Sequence, residues 1–373
     1  MNTNLVQKNI PKGWEIKKIK DLLDYERPDK YIVESSSYTD KGKIPVLTAN
    51  KSFILGYTEE DFGIYGNLPV IIFDDFTTDS KLVDFPFKIK SSAIKILRSK
   101  SEHQNLRYLF ELIKSINFLV GDHKRYYISE FQNLDVVVPP WEEQKKIVEI
   151  LMSVDDEIKK TDEIISQTGK LKKGLMQDLF TKGIGHKKFK KTKIGEIPEE
   201  WKVATFEEFA TLQRGFDLPA SDRISGEYPL VTSNGITSTH NKSKVKAPGV
   251  VTGRSGTLGN VFYIKDDFWP LNTTLYVKNF YGNNERFVYY KIKSFDLIRF
   301  GTGTGVPTLN RNIVHKEHVA IPNRTEQNKI ADILFNIDYK ITNNIKFKEK
   351  LVELKKGLIQ DLLSGKVRVK ICG

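Results

Sequence analysis

Apolar positions recur every three or four residues across 141–180, at Ile147, Leu151, Val154, Ile158, Ile165, Leu171, Leu175 and Leu179. They recur in the same way across 324–363, at Ile330, Leu334, Ile337, Ile341, Ile345, Leu351, Leu354, Leu358 and Leu362. That spacing predicts one long helix in each stretch, with a single apolar stripe. Pro139-Pro140 can only precede or open the first helix, because proline fits the first turn and not the interior. A helix of roughly 40 residues spans about 60 Å, and such a stripe cannot bury itself, so the economical arrangement packs the two helices together as a coiled coil. Elsewhere the pattern shortens. Trp14 to Ile19 and Trp201 to Phe206 alternate as strands do. Pro69 to Phe73 and Gly249 to Thr252 read as buried strands, and Arg107 to Ile113 and Arg286 to Ile292 as short helices.

These elements come in matched pairs because the chain is written twice. Glu143-Gln144-Lys145-Lys146-Ile147 returns as Glu326-Gln327-Asn328-Lys329-Ile330, and Leu171-Lys172-Lys173-Gly174-Leu175-Met176-Gln177-Asp178-Leu179 as Leu354-Lys355-Lys356-Gly357-Leu358-Ile359-Gln360-Asp361-Leu362, both offset by 183. Ile10-Pro11-Lys12-Gly13-Trp14 answers to Ile197-Pro198-Glu199-Glu200-Trp201, and Pro45 to Asn50 answers to Pro229 to Asn234. Two equal halves that cover each other's stripe are most simply related by a pseudo-twofold axis. The helices would then be antiparallel, with one globular part at each end, as in a dumbbell. The expected fold is therefore α+β: two mixed α/β domains separated by a pair of long antiparallel coiled-coil helices. The halves diverge most in their loops. Ile71 to Asp74 runs into Asp75-Phe76-Thr77-Thr78, whereas Val250-Val251-Thr252 runs into Gly253-Arg254-Ser255-Gly256-Thr257.

Composition narrows the chemistry. The 373 residues carry 59 Lys+Arg against 47 Asp+Glu, a net charge of +12, but much of the excess sits in 181–197, around Lys187-Lys188-Phe189-Lys190-Lys191-Thr192-Lys193, and in the tail 364–373. Charge alone does not make this a DNA-binding protein. The single cysteine, Cys372, excludes a disulfide scaffold, a Cys-ligated zinc site and a cysteine nucleophile in the core. The six histidines lack H-x-x-x-H or H-E-x-x-H spacing. No apolar run is long enough to span a membrane, and the N-terminus lacks a signal pattern, so a cytoplasmic location is expected.

Catalytic motifs fail one by one. Phe300 to Gly305 has alternating glycines that fit neither dinucleotide nor adenosylmethionine loops, and no G-x-x-x-x-G-K-[ST] is present. Val138-Pro139-Pro140-Trp141 resembles the Pro-Pro motif of DNA amino-methyltransferases, but valine stands where a polar group would hold the target amine. Glu15-x-Lys17 and Glu157-x-Lys159 have no Pro-Asp partner upstream to complete a nuclease site, and the second lies on the expected helix. The chain reads as a non-enzyme that needs no cofactor or metal of its own.

With the tryptophan positions (Trp14, Trp201), the Pro-x-x-Glu-Gln helix openings (Pro140 to Gln144, and Pro322 to Gln327, one residue longer) and the twin Leu-Lys-Lys-Gly-Leu-x-Gln-Asp-Leu endings in this order, the chain resembles the specificity subunit of Type I restriction-modification systems over essentially its whole length. The resemblance implies target-recognition domains over 1–140 and 198–323, spacer helices over 141–180 and 324–363, a basic linker over 181–197 and a basic tail over 364–373. It implies that each domain reads one half of a bipartite double-stranded DNA site. It implies partners as well: two copies of an adenine methyltransferase subunit and an ATP-dependent nuclease/translocase, which would hold the adenosylmethionine, ATP and magnesium.

Base reading needs side chains that donate and accept at groove edges, and phosphate contacts need Lys and Arg. The first-domain candidates are Asn50, Lys51, Asp74, Thr77, Thr78, Lys81, Lys124, Arg125 and Tyr126. Those of the second are Asn234, Arg254, Ser255, Thr257, Asn272, Thr273, Thr304, Asn310 and Arg311. Two other readings stay open: a coiled-coil scaffold with two protein-binding heads, and the specificity fragment of a single-chain restriction-methylation enzyme.

Overall fold

The computed structural model describes residues 10–35, 37–49, 52–121, 124–302 and 307–371. It divides into two compact units, Met1–Thr161 with Phe347–Gly373, and Asp162–Lys346. Each unit therefore holds one globular part together with a stretch of both long helices.

In the first unit, Trp14 leads into β1 (Glu15–Lys18), a one-turn helix α1 (Ile19–Leu22) and β2 (Leu23–Glu26). There follow β3 (Ile44–Leu47), β4 (Ile54–Thr58), β5 (Val70–Asp74), β6 (Ser80–Val83), β7 (Lys88–Ile89), β8 (Ile94–Ser99), α2 (Leu106–Ser115) and β9 (Asp135–Val138). Strands β2-β8-β5-β6 form an antiparallel sheet, and β4-β3-β7 a second sheet in which β3 and β7 run parallel. β1 pairs with β9, which closes the domain at the start of the long helix α3 (Trp141–Thr181).

The second globular part repeats this plan. A hairpin of β10 (Phe189–Thr192) and β11 (Gly195–Pro198) precedes β12 (Lys202–Thr205), α4 (Phe206–Phe209) and β13 (Thr211–Arg214). Then come β14 (Tyr228–Thr232), β15 (Gly235–His240), β16 (Gly249–Gly253), β17 (Val261–Ile264), β18 (Trp269–Pro270), β19 (Thr274–Asn279) and α5 (Glu285–Lys293). The chain continues through β20 (Gly301–Thr302), β21 (Thr308–Leu309), α6 (Arg311–Lys316) and β22 (His318–Ile321) into α7 (Arg324–Leu363). The sheets β13-β19-β16-β17 and β15-β14-β18 match those of the first unit strand for strand, and β12 pairs with β22 as β1 does with β9. The stretch read as a basic linker thus holds all of the β10–β11 hairpin but its last residue, Pro198.

The repeated Glu-Gln pair at the start of each long helix joins it to its globular part. Trp14 Nε1 donates to Glu143 Oε2 (2.9 Å) and Trp201 Nε1 to Glu326 Oε2 (3.0 Å). The neighbouring glutamines accept from Asn105 N and Asn284 N, both at 2.9 Å. Those two asparagines are the N-caps of α2 and α5, where their side chains take otherwise orphaned helix N–H groups. The far ends of the helices complete the same clamps. In the first unit Arg368, beyond α7, forks onto Glu143 through Nε (2.7 Å) and Nη2 (2.8 Å). In the second, His186, beyond α3, lies 2.9 and 3.0 Å from the two oxygens of Glu326.

Within each unit the two long helices run antiparallel, since the beginning of one packs beside the end of the other. Ile147 and Leu151 share a core with Leu362 and Leu363 in the first unit, as Leu179 shares one with Ile330 and Leu334 in the second. Val154, Ile158, Ile165, Leu175, Ile337, Ile341, Leu351 and Leu358 are partly buried along the stripe. Leu171, Ile345 and Leu354 correct the expected stripe, for they are 59%, 42% and 51% exposed. The heptad spacing continues from Ile165 through Thr168 to Lys172, and from Lys348 through Leu351 to Lys355, so lysines occupy the seam and the adjacent leucines face outward. The lysine side chains are only 12% and 18% exposed. Their stems lie on the seam while the ammonium groups are paired, Lys172 with Asp338 and Lys355 with Asp155 at 2.7 Å. These pairs are reciprocal, because 155 and 338, like 172 and 355, differ by the repeat offset of 183. Each aspartate also touches its own globular part: Tyr290 OH donates to Asp338 (2.9 Å), and Arg107 Nη2 to Asp155 (3.3 Å).

Lys291 on α5 breaks the symmetry. Its place in α2 is taken by Leu112, and its Nζ sits 5.0 Å from the centre of the Phe180 ring. Burial pushes this lysine down to about 8. Below that pH it is charged in both folded and unfolded chains, and folding must bury the charge. Between about 8 and the ordinary lysine value the unfolded chain binds the extra proton, so stability rises with pH. Lys291→Met is expected to raise stability at pH 7 by about 1–2 kcal/mol, and the gain should shrink toward zero by pH 10.5 in denaturation series run across that range.

Candidate nucleic-acid interface

The loops that follow β5 and β16 leave equivalent sheets and are built by different means. In the first unit Asp74 is buried, and its Oδ1 accepts from the N–H groups of Phe76 and Thr77, both at 2.9 Å. Thr78 then adopts a left-handed conformation (φ 60°) and donates from its backbone to Asp74 O. Asp75 is 1% exposed and pairs at 3.0 Å with Lys95, itself 3% exposed. Its free carboxylate oxygen accepts from Tyr127 N (2.7 Å), and its carbonyl from Tyr126 N (2.9 Å). The ion pair ties the β5 loop to β8, and the hydrogen bonds from Tyr126 and Tyr127 tie it to the segment before α3.

These contacts correct two expectations. Asp74 shapes the loop from inside, as a short polar side chain at a turn does. Tyr126 is also internal: its hydroxyl accepts from Gly121 N (2.7 Å) and its ring meets Phe118 edge-on. The remaining candidates reach the surface. Thr77 and Arg125 are exposed, Arg125 Nη2 donating to Ser92 Oγ (3.2 Å), and Lys124 is exposed and bridged to Glu130. Thr78 and Lys81 are half-buried. Beside Asp74 lies a pocket of about 280 Å³ lined by Thr48, Ser52, Leu55, Asp74, Lys90, Ser91 and Ile94. Asn50 and Lys51 lie outside the described residues.

In the second unit the loop depends on glycine. A Cβ on Gly253 would stand 1.9 Å from Thr257 O, and Gly256 has φ +85°. The resulting tight turn presents Arg254 and Ser255, whose N–H groups both reach Thr273 O (2.8 and 3.1 Å). Arg254 Nη1 donates to Asn272 O (3.1 Å), and Arg254 O accepts from Leu309 N (2.7 Å). The segment 307–311 is thereby drawn to the same sheet edge. Thr257 and Asn234 are exposed, and Thr273 is half-buried with its hydroxyl oxygen unpartnered. Asn310 caps α6 through its side chain, accepting from Asn312 N, which is a structural use of a residue expected at a groove edge. Arg311 donates to Gln213 Oε1 (2.9 Å). Thr304 lies outside the described residues.

Sequence reading missed Gln213, Arg214 and Asp217, which join this cluster from β13 and the turn after it. A signal existed, since Arg214 stands to Arg27 as Trp201 stands to Trp14, at offset 187. Residue for residue, the two edges differ in chemistry: Arg254 and Asn272 in the second unit stand where the first has Asp75 and Ser92. Among the described residues no group of three His, Cys, Asp or Glu side chains could hold a metal ion, and no helix is long and apolar enough to cross a membrane.

Comparison with known proteins matches this arrangement from three directions. The family described as Type I restriction modification DNA specificity domain matches twice, over residues 11–167 and 198–353. The specificity subunit of the Type I restriction enzyme EcoR124I/EcoR124II of Escherichia coli is 30% identical over 358 residues, covering 87% of this chain and 86% of that one. The MjaVIII specificity subunit of Methanocaldococcus jannaschii is 26% identical, covering 97% and 94%. Among solved structures, the S subunit of a Type I restriction-modification system from M. genitalium superposes with a TM-score of 0.61 over 98% of both chains at 17% identity. A chain from a study of type I system assembly and conformational transition gives 0.59 at 14% identity, over 96% of this chain and all of the other. Both solved chains share the fold, and the duplicated match spans most of the sequence. The chain belongs to the family of Type I restriction-modification specificity subunits and carries two target-recognition domains in tandem.

Proposed function

We propose that each globular domain reads one half of a bipartite DNA sequence, and that the paired helices set the number of unread base pairs between the halves. The observation that carries this is divergence within a constant frame. The two sheets match strand for strand, yet one edge offers Arg254 and Asn272 where the other has Asp75 and Ser92. Two readers of different targets need that combination, whereas a scaffold with two like heads does not. On this reading the chain itself is non-catalytic and acts in the cytoplasm. It docks two copies of an adenine methyltransferase subunit, which bring adenosylmethionine, and an ATP-dependent nuclease/translocase, which brings the use of ATP and magnesium.

The test is co-expression with a candidate partner methyltransferase, followed by sequencing of methylated adenines. A single bipartite motif that disappears when this chain is deleted is the expected result, and methylation that persists unchanged would favour the scaffold. The ruler has its own test. A seven-residue insertion at matched places in α3 and α7 preserves the seam and adds about 10 Å. It should widen the unread gap by about three base pairs, at 3.4 Å each, and leave both half-sites as they were. Altered half-sites would count against the ruler.

A further inference from the structure

Asp217 lies in the turn after β13 and gathers side chains from separate parts of the second domain. Arg214, at the end of β13, donates to it through Nη1 (3.0 Å) and Nη2 (2.8 Å). Asn272, in the turn between β18 and β19, donates Nδ2 to Asp217 Oδ1 (2.5 Å). The backbone carbonyl of Asn272 in turn holds Arg254. Arg214 and Asp217 are exposed and Asn272 is half-buried, so the group faces solvent at the edge where the β16 loop ends. Arg214 beside it, and then Asn272, hold the Asp217 carboxyl below the usual carboxylate range, so it stays ionised at neutral pH.

Donor counting shows what this arrangement leaves available. A guanidinium has five N–H groups in a fixed fork. Asp217 engages one hydrogen on each terminal nitrogen, which leaves the Nε–H and an outer Nη–H along the side edge. That edge matches the two acceptors of guanine, O6 and N7. An amide has two N–H groups and an acceptor oxygen. With one N–H on Asp217, Asn272 keeps its Oδ1 and a second N–H, the acceptor and donor that adenine N6 and N7 require. A carboxylate is a poor neighbour for a phosphate, so the cluster suits base edges better than the DNA backbone. In the first domain Arg27 takes the place of Arg214 and Ser92 that of Asn272, while Lys30 stands where the second domain has Asp217.

We infer that Asp217 is a specificity-determining positioning residue of the second domain, orienting Arg214 and Asn272 so that their free edges read adjacent purines in one half-site. The inference rests on the recognition function proposed above.

The experiment uses the full chain with its methyltransferase and compares the parent with Asp217→Asn, Asp217→Ala and Arg214→Gln by motif sequencing and by DNA affinity at several salt concentrations. In both Asp217 variants, discrimination should fall on the order of ten-fold at one or two adjacent positions of one half-site, with the other half-site read as before. The salt dependence of binding should be unchanged. Arg214→Gln should lose discrimination within those same positions. If the Asp217 variants return the parent motif with discrimination intact, the cluster is an ordinary surface ion pair and the inference fails while the recognition function stands. If Arg214→Gln weakens all sequences equally and lowers the salt slope by about one, Arg214 contacts a phosphate, and the inference fails in that way. A parent complex that yields no bipartite motif overturns both.

Discussion

Asp75→Ala is expected to cost about 3–5 kcal/mol in the first unit, because it leaves the Lys95 ammonium, 3% exposed, without its partner and removes the acceptor of Tyr127 N. A surface ion pair of the same length would contribute a fraction of that, so burial decides the size. Replacing both partners, Asp75→Leu with Lys95→Met, should return the part of the loss that comes from the unpaired buried charge, while the Tyr127 N–H stays without its acceptor. The two units need not unfold together, so one melting curve is a poor readout. Hydrogen exchange on β5 and β8 against β16 and β19 separates them. Protection should fall in the first pair and hold in the second for the single variant, and equal loss in both units would contradict the account.

Glu143→Ala should cost about 3 kcal/mol, by removing the acceptor of Trp14 Nε1 and both oxygens on which Arg368 forks. The sharper expectation compares the two copies. Glu143→Gln keeps an oxygen for the indole but loses the charge and the second oxygen that the guanidinium requires. Glu326→Gln faces His186, whose Nε2 supplies a single hydrogen, and Trp201 with Ile184 N. At either position the amide nitrogen would face an N–H donor, so the difference lies in the guanidinium of Arg368, whose permanent charge loses its counter-ion only at 143. The glutamine variant should therefore be clearly more harmful at 143 than at 326 in chemical denaturation, and equal losses would mean that Arg368 contributes little to the clamp.

Residues whose meaning is periodic or repeated were legible in the chain. The two long helices follow from spacings of three and four, and the duplication from runs such as Leu171 to Leu179 set against Leu354 to Leu362. Strand and helix types in the globular parts follow from local alternation and appear where expected, as with β5, β16, α2 and α5. Together with the order of the shared motifs, this was enough to identify the family, because side-chain period is a property of local backbone geometry and survives without tertiary context.

Which polar residues face outward was settled by the tertiary structure. Asp74 and Tyr126 look like surface chemistry in sequence and are internal; Leu171, Ile345 and Leu354 look like seam and lie outside it; Lys172 and Lys355, absent from the expected stripe, sit on the seam because Asp338 and Asp155 are there to meet them. Asp217 has no signature of its own, since its role depends on Arg214 and on Asn272, 55 positions further along the chain. A polar side chain's role is set by the partners and desolvation it meets after folding, and these come from distant segments that no local pattern encodes.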